Sequence, residues 1–244
     1  MKDQYVGDVG DFGKYGLLRF LLKEGFGLGV NWYHTKNLSK SNDGNVRKYI
    51  ERPEDFLSFD PELFKILEGL QSEDERRVKY VETRGVLPET TFFKDVLDTG
   101  GMIKWDKLLT RRRWHEKALD KLAGCELIFA DPDNGLSTDM DEKYVLPSEI
   151  SDYFDRGQDV LYYHHRDYSN EEQWIRTVSF MREYLDDAEV LVLTFHPWIN
   201  RAYVFVVHKD RGEQYQKAID KFLASRWGTD RINGKPVFEQ LELG

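Results

Sequence analysis

The stretch that most constrains this fold is Leu127-Ile128-Phe129-Ala130-Asp131-Pro132-Asp133-Asn134-Gly135-Leu136. It opens as an uninterrupted apolar run and stops abruptly in two carboxylates, a proline, an amide and a glycine. A strand buried on both faces reads as such a run, and strands of that kind belong to parallel sheets covered by helices. In open α/β sheets ligands collect at the carboxyl edge, so the polar residues are delivered to the place where chemistry is done. Pro132 removes a backbone donor and takes the chain out of the ladder. Gly135 would let the backbone approach a ligand closely. The same residue types also build plain strand-to-loop turns, and the pattern alone admits that reading.

The rest of the chain alternates helix and strand signals. Gly7-Asp8-Val9-Gly10-Asp11-Phe12-Gly13-Lys14-Tyr15-Gly16 runs into a leucine stripe, which predicts a helix capped by Asp11. Glycines beside Asp11, Lys14 and Tyr15 suit either a ligand that touches backbone or a close-packed structural N-terminus. Gly29 to His34 reads as the first strand and Thr35 to Arg47 as loop. Pro53 to Leu70 reads as an amphipathic helix, Glu73 to Arg77 as a solvated charge run, Val78 to Val86 as a weak strand, and Phe92 to Leu97 as a short helix. Trp105 to Leu122 is a long basic helix leading into the central strand. Pro147 to Phe154 and Glu171 to Leu185 read as helices, Val160 to His165 and Val190 to Phe195 as strands. Ala202 to Val207 follows a short turn and is expected antiparallel to its predecessor, and Glu213 to Trp227 closes the chain as a helix. These elements predict one doubly wound, Rossmann-like α/β domain over residues 1–244, with an antiparallel C-terminal strand pair.

Composition narrows the function. The net charge of −9 argues against non-specific coating of nucleic acid, while leaving room for a local basic patch such as Arg111, Arg112 and Arg113 on phosphates. A single cysteine, Cys125, excludes an internal disulfide framework and a cysteine-rich zinc site. No early apolar run is long enough for a signal peptide and none reaches the ~20 residues of a membrane span, so the expectation is a cytoplasmic chain without a membrane partner.

Three strands end in polar clusters, Asp131/Asp133/Asn134, His164/His165/Asp167 and His196/Trp198. If the strands are parallel neighbours, all three clusters meet on one edge. Asp131 is the leading catalytic candidate, because a carboxylate at a desolvated strand end accepts a proton from water and stabilises positive charge. Asp133 and Asn134 are placed to orient that water or read a substrate edge. Trp32, Tyr163 or Trp198 could stack on a flat substrate. A lone histidine is more often structural, the reading given to His34, His115 and His208, although His34 closes the first strand and so joins the substrate-binding set on position. Asp131, Asp133 and Asp167 could instead hold Mg²⁺, but no spacing motif supports a metal.

The order of motifs resembles the adenine-N6 methyltransferases, in particular the type acting on large-subunit ribosomal RNA. Gly10-Asp11-Phe12 is similar to the Gly-Asn-Phe turn that opens their N-terminal helix, and Asp131-Pro132-Asp133-Asn134 occupies the place of their Asp-Pro-Pro-Tyr. That resemblance implies a Rossmann-type fold and S-adenosylmethionine. The chain departs from it after the first strand, where His34-Thr35-Lys36-Asn37 replaces a glycine-rich turn, and it lacks the second proline and the stacking aromatic. Asp131-Pro132 and His196-Pro197 are also similar to the two loop motifs of the uracil-DNA glycosylase superfamily. By that resemblance Asp131 positions water or stabilises an oxocarbenium-like sugar, and His196 donates to the departing base. The set is similar, too, to uncharacterised bacterial proteins associated with anti-phage DNA glycosylases. Both resemblances imply a flipped base in a strand-end pocket. The leading expectation is a cofactor-free DNA glycosylase acting on a modified base, with phage DNA as partner. The alternatives are an S-adenosylmethionine-dependent N6-adenine methyltransferase of DNA or RNA, a non-catalytic nucleic-acid-binding module, and a Mg²⁺-dependent nuclease.

Overall fold

The computed structural model describes residues 1–36, 46–72, 75–166 and 169–244. In chain order these residues form α1 (Val9–Lys23), β1 (Leu28–Asn31), α2 (Pro53–Phe56), α3 (Pro61–Glu68), α4 (Val78–Thr83), β2 (Thr91–Phe93), α5 (Lys104–Lys121) and β3 (Leu127–Ala130). There follow β4 (Gly135–Leu136), β5 (Tyr144–Val145), α6 (Pro147–Phe154), β6 (Asp159–His165), α7 (Glu171–Tyr184), β7 (Ala188–Phe195) and β8 (Arg201–His208). The chain closes with α8 (Gly212–Ala224), α9 (Arg226–Thr229), β9 (Arg231–Ile232), β10 (Lys235–Pro236) and β11 (Phe238–Gln240).

The fold is mixed α/β around a seven-stranded sheet of order β11-β7-β8-β6-β3-β1-β2. The strands β2, β1, β3 and β6 pair in parallel. β8 then runs antiparallel to both β6 and β7, and β11 antiparallel to β7. The expected antiparallel pairing of β7 with β8 is therefore present, but it is inserted so that β8 separates β7 from β6. β9 and β10 form a separate antiparallel pair, and β4 pairs with β5 in parallel. No helix among the described residues is long and apolar enough to cross a membrane.

Alternation along the strands sends side chains to two apolar layers. Leu127, Phe129, Leu161 and Tyr163 face α1, α3 and α8, whereas Ile128, Ala130, Val160 and Tyr162 face α5, α6 and α7. The high aromatic content is spent mainly on these layers: Phe12 alone meets Tyr49, Phe56, Phe64 and Trp227 at ring separations of 5.2–6.3 Å.

Helix α1 crosses its layer on a glycine stripe. A Cβ on Gly13 would lie 2.5 Å from the Phe195 ring, and one on Gly10 or Gly16 would overlap the Arg201 guanidinium or Trp227. These glycines serve close packing of helix on sheet. The helix cap is Asp8 rather than Asp11: the Asp8 side chain accepts from the Asp11 N–H at 2.8 Å.

Several local expectations are corrected. Val78–Thr83 is helix and Thr91–Phe93 is strand, the reverse of the sequence reading. Three residues suffice for an edge strand once β1 supplies a partner, and the Val78/Val81 spacing of i, i+3 fits a helix face. The expected helix over Pro53 to Leu70 is split, because Asp60 caps a new helix whose first residue is Pro61. In the presumed solvated charge run, Arg76 is buried and donates to the Val6 carbonyl at 2.9 Å, while Glu73 and Asp74 lie outside the described residues. Gly135 has φ +116°, and a Cβ there would sit 2.5 Å from His164 Nδ1, so the close approach it permits is to His164 and not to a ligand.

Candidate active site at the carboxyl edge of β3 and β6

A cavity of about 570 Å³ opens at this edge, lined by residues of α1, the β3 and β6 termini, and the start of β8. β3 delivers Asp131 into its wall. The Asp131 N–H completes the ladder to Asn31 O at 3.0 Å, and Pro132 then ends the pairing. Asp131 is only 3% exposed. Its Oδ2 accepts from Lys14 Nζ at 2.8 Å, and Oδ1 has no hydrogen bond among the described residues. Lys14 also pairs with Asp11 Oδ1 at 2.8 Å, so one buried ammonium bridges two buried carboxylates. Asp11 Oδ2 accepts from the Gly7 N–H at 2.9 Å and the Tyr15 hydroxyl at 3.2 Å.

Charge state follows from this geometry. Burial alone would lower the Lys14 pKa, but Asp11 and Asp131 outweigh it and raise it, which keeps Lys14 a fixed cation. Burial raises Asp11, against the opposing pull of Lys14 and with added repulsion from Asp8. Asp133 is desolvated too, yet the Met1 amino group at 2.9 Å and Lys2 hold it below the usual carboxylate range. Burial pushes Tyr163 up to about 12, so it stays a neutral phenol.

The sequence candidates divide between this cavity and other places. Asp131, Asp133, Asn134, Asp11, Lys14, Tyr163 and His165 line it, with His165 Nδ1 3.1 Å from the Tyr163 hydroxyl. Tyr15 lies one layer below and reaches Asp11 only through its hydroxyl. Trp32 is buried, stacks on Phe92 at 6° and donates to Glu82 at 3.0 Å, so it cannot stack on a substrate. His34 faces Asp3 at 3.8 Å, and His164 is buried against Trp174 on the opposite sheet face, accepting from the Leu136 N–H at 3.1 Å. Asp167 lies outside the described residues.

The expectation for His196 fails on topology. β7 does end on the same edge, but β6 and β8 stand between it and β3, a separation of about 14 Å at ordinary strand spacing. His196 pairs there with Glu239 of β11 at 2.7 Å. Trp198, at φ +60°, packs on Phe56 and under Arg52 and does not line the cavity. The basic run does not line the cavity either. Arg111 is buried in a two-point pair with Glu149 at 2.7 and 2.9 Å, Arg112 pairs along the helix with Glu116, and Arg113 is exposed on α5.

Sequence reasoning missed Arg201 and Asp8. Arg201 opens β8, directly opposite both His165 and Phe195 in register, and its Nη2 pairs with Asp8 Oδ2 at 3.1 Å. The signal was available in the hairpin: a strand returning antiparallel begins on the edge where its predecessor ended. The cavity carboxylates are each tied to a cation, and among the described residues no three His, Cys, Asp or Glu side chains come together to hold a metal ion.

No protein-family model matches this sequence, and no curated protein matches it. Solved structures that align with it include the crystal structure of protein LPL1258 from Legionella pneumophila str. Philadelphia 1, of the DUF519 family model, at TM-score 0.48 and 12% identity over 97% of this chain and 96% of that one.

Proposed function

We propose that the chain is a DNA glycosylase that takes a flipped, modified base into this cavity, on a doubly wound sheet of the Rossmann-like methyltransferase type. The observation that carries the reading is Asp131: a buried carboxylate at a strand end, fixed through Oδ2 by Lys14, with no hydrogen bond on Oδ1 among the described residues. Water held at Oδ1 attacks C1′ of the sugar, Asp131 accepts its proton, and the C1′–N bond breaks with its electron pair leaving on the base. Asp131 and Asp133 stabilise the positive charge that develops on the sugar. Asn134 and Tyr163, in the cavity lining, contact the base, and His165 beside them takes the part of donor to the leaving base that was expected of His196. Lys14, held protonated, is no nucleophile, so the reaction is plain hydrolysis without a covalent imine.

The runner-up, an S-adenosylmethionine-dependent N6-adenine methyltransferase, takes support from the position of Asp131-Pro132-Asp133-Asn134 at the end of β3. The described residues beyond β1 do not fit that cofactor: Trp32 and Tyr33 are fully buried there, and the Met1 amino group and carbonyl bond Tyr33 O and Thr35 N at 3.0 and 3.1 Å. Incubation with phage DNA carrying modified bases, scored for alkali-labile abasic sites, tests the glycosylase. Asp131→Asn is expected to lower excision by about 100-fold or more, the contribution of a positioned general base. Full activity in that variant, or no abasic sites with any modified DNA, removes the reading. Calorimetric binding of S-adenosylmethionine would favour the runner-up.

A further inference from the structure

The cations around this cavity differ in how many of their donors are committed. Lys14 has three N–H groups and three neighbours, Asp11 Oδ1, Asp131 Oδ2 and Met1 Sδ at 3.9 Å. Lys2 faces Asp133 and the Tyr5 hydroxyl. Arg201 carries five N–H groups in a planar fork and has one acceptor among the described residues, Asp8 Oδ2. The pair is single-point: the other Asp8 oxygen, Oδ1, accepts from the Asp11 N–H to cap α1. Arg201 Nε is buried with no acceptor among the described residues.

The guanidinium is also held in place. Tyr163 lies against one side, with the ring centre 5.2 Å from Cζ, and the Gly10 backbone lies against it at a distance that any side chain would fill. A planar cation with spare donors, fixed on an aromatic ring in the wall of a cavity, is built for a two-point acceptor such as a phosphate oxygen pair. Arg201 stands two strands from β3, roughly 10 Å between backbones, which a single nucleotide bridges.

We propose that Arg201 is the phosphate-binding residue of this cavity, and that the ligand is a nucleotide whose phosphate rests on Arg201 and whose sugar and base extend to Asp131 and Asn134. The proposal rests on the reading of the cavity as a nucleobase site. It moves phosphate recognition from Arg111–Arg113 to one residue on β8.

Two probes separate the source of the phosphate: a fluorescein-labelled single-stranded 11-mer of DNA followed by anisotropy, and the four deoxynucleoside 5′-monophosphates followed by calorimetry beside their nucleosides. Arg201→Gln is expected to weaken the phosphate-bearing probes about 10- to 100-fold and to leave nucleosides unchanged, the effect of removing a charge-assisted hydrogen-bond pair. Arg201→Lys, which keeps the charge without the fork, should fall between. Gly10→Ala, which pushes the guanidinium aside without removing it, should weaken binding in the same sense. Binding of monophosphates and of the 11-mer supports the proposal with a free nucleotide as sufficient ligand; binding of the 11-mer alone supports it with polymeric DNA as the ligand. Wild-type affinity in Arg201→Gln, equal losses for nucleoside and nucleotide, or no binding of any probe overturns it. Base release is scored separately. Arg201-dependent binding without base release sinks the glycosylase and spares the phosphate site, whereas base release with unchanged KM in Arg201→Gln sinks the phosphate site alone.

Discussion

Replacing Lys14 by Met leaves Asp11 and Asp131 facing each other with no cation between them. Both are buried, and each stands 2.8 Å from the same ammonium. Breaking a buried ion pair by removing one partner costs about 3–5 kcal/mol, because an uncompensated charge stays in the interior. Here one cation serves two carboxylates, so the upper part of that range applies. For a chain of this size each kcal/mol moves Tm by about 2–4 °C, so about 4–5 kcal/mol gives a loss of roughly 8–20 °C at pH 7. The sign with pH follows from Asp11, whose folded pKa already lies above its ordinary value through burial. A carboxyl raised on folding contributes stability that is full below its unfolded pKa and is lost as pH rises through the folded value. Without Lys14 that rise is larger, so the deficit should shrink as pH falls from 7 toward 4.5. Adding Asp11→Asn and Asp131→Asn to the Met variant should recover much of the loss. Differential scanning calorimetry from pH 7 to 4.5 measures all three. A Tm within about 2 °C of wild type at pH 7, or a deficit that does not change with pH, would refute the reasoning.

Gly13→Ala places a methyl group 2.5 Å from Phe195 and should cost about 1–3 kcal/mol by overpacking, read as a lower urea midpoint with an unchanged slope. Asp133 and Glu149 have folded pKa values below their ordinary ones despite desolvation, through Met1 and Lys2 in one case and Arg111 in the other. Their stability contribution is present above the ordinary carboxylate range and is lost as pH falls through the depressed values, so wild-type protein should unfold cooperatively in acid, and Arg111→Met, with Glu149 orphaned, should lose about 3–5 kcal/mol at pH 7. Excision assays should find His165→Ala strongly impaired and His196→Ala close to wild type; the opposite result would return the leaving-group role to His196.

Much of the scaffold was legible in the residues. The apolar runs at Leu127, Val160 and Val190 each became a strand, and the 3.6-residue stripes of α5, α7 and α8 became helices, because burial on a sheet or on a helix face imposes its own period. Weakly periodic segments were misread. Thr91–Phe93 is too short to announce itself, and it is a strand only because β1 leaves an edge beside it.

The candidate site was half legible. Asp131, Asp133 and Asn134 were marked by their abrupt polarity, and Asp11 and Lys14 by their place in a helix start. Sequence alone could not say that β8 would lie between β6 and β7. That one insertion moved His196 out of the cavity and put Arg201 in, since strand order is decided by which edges pair and not by the pattern within a strand. Nor could it say that Arg111 would turn inward to Glu149, because a helix exposes or buries a basic residue according to what packs over it. The residues thus determined which side chains carry chemistry and which segments are buried. Only the tertiary structure decided which of those side chains meet, because proximity across a sheet comes from long-range pairing that no local run of residues encodes.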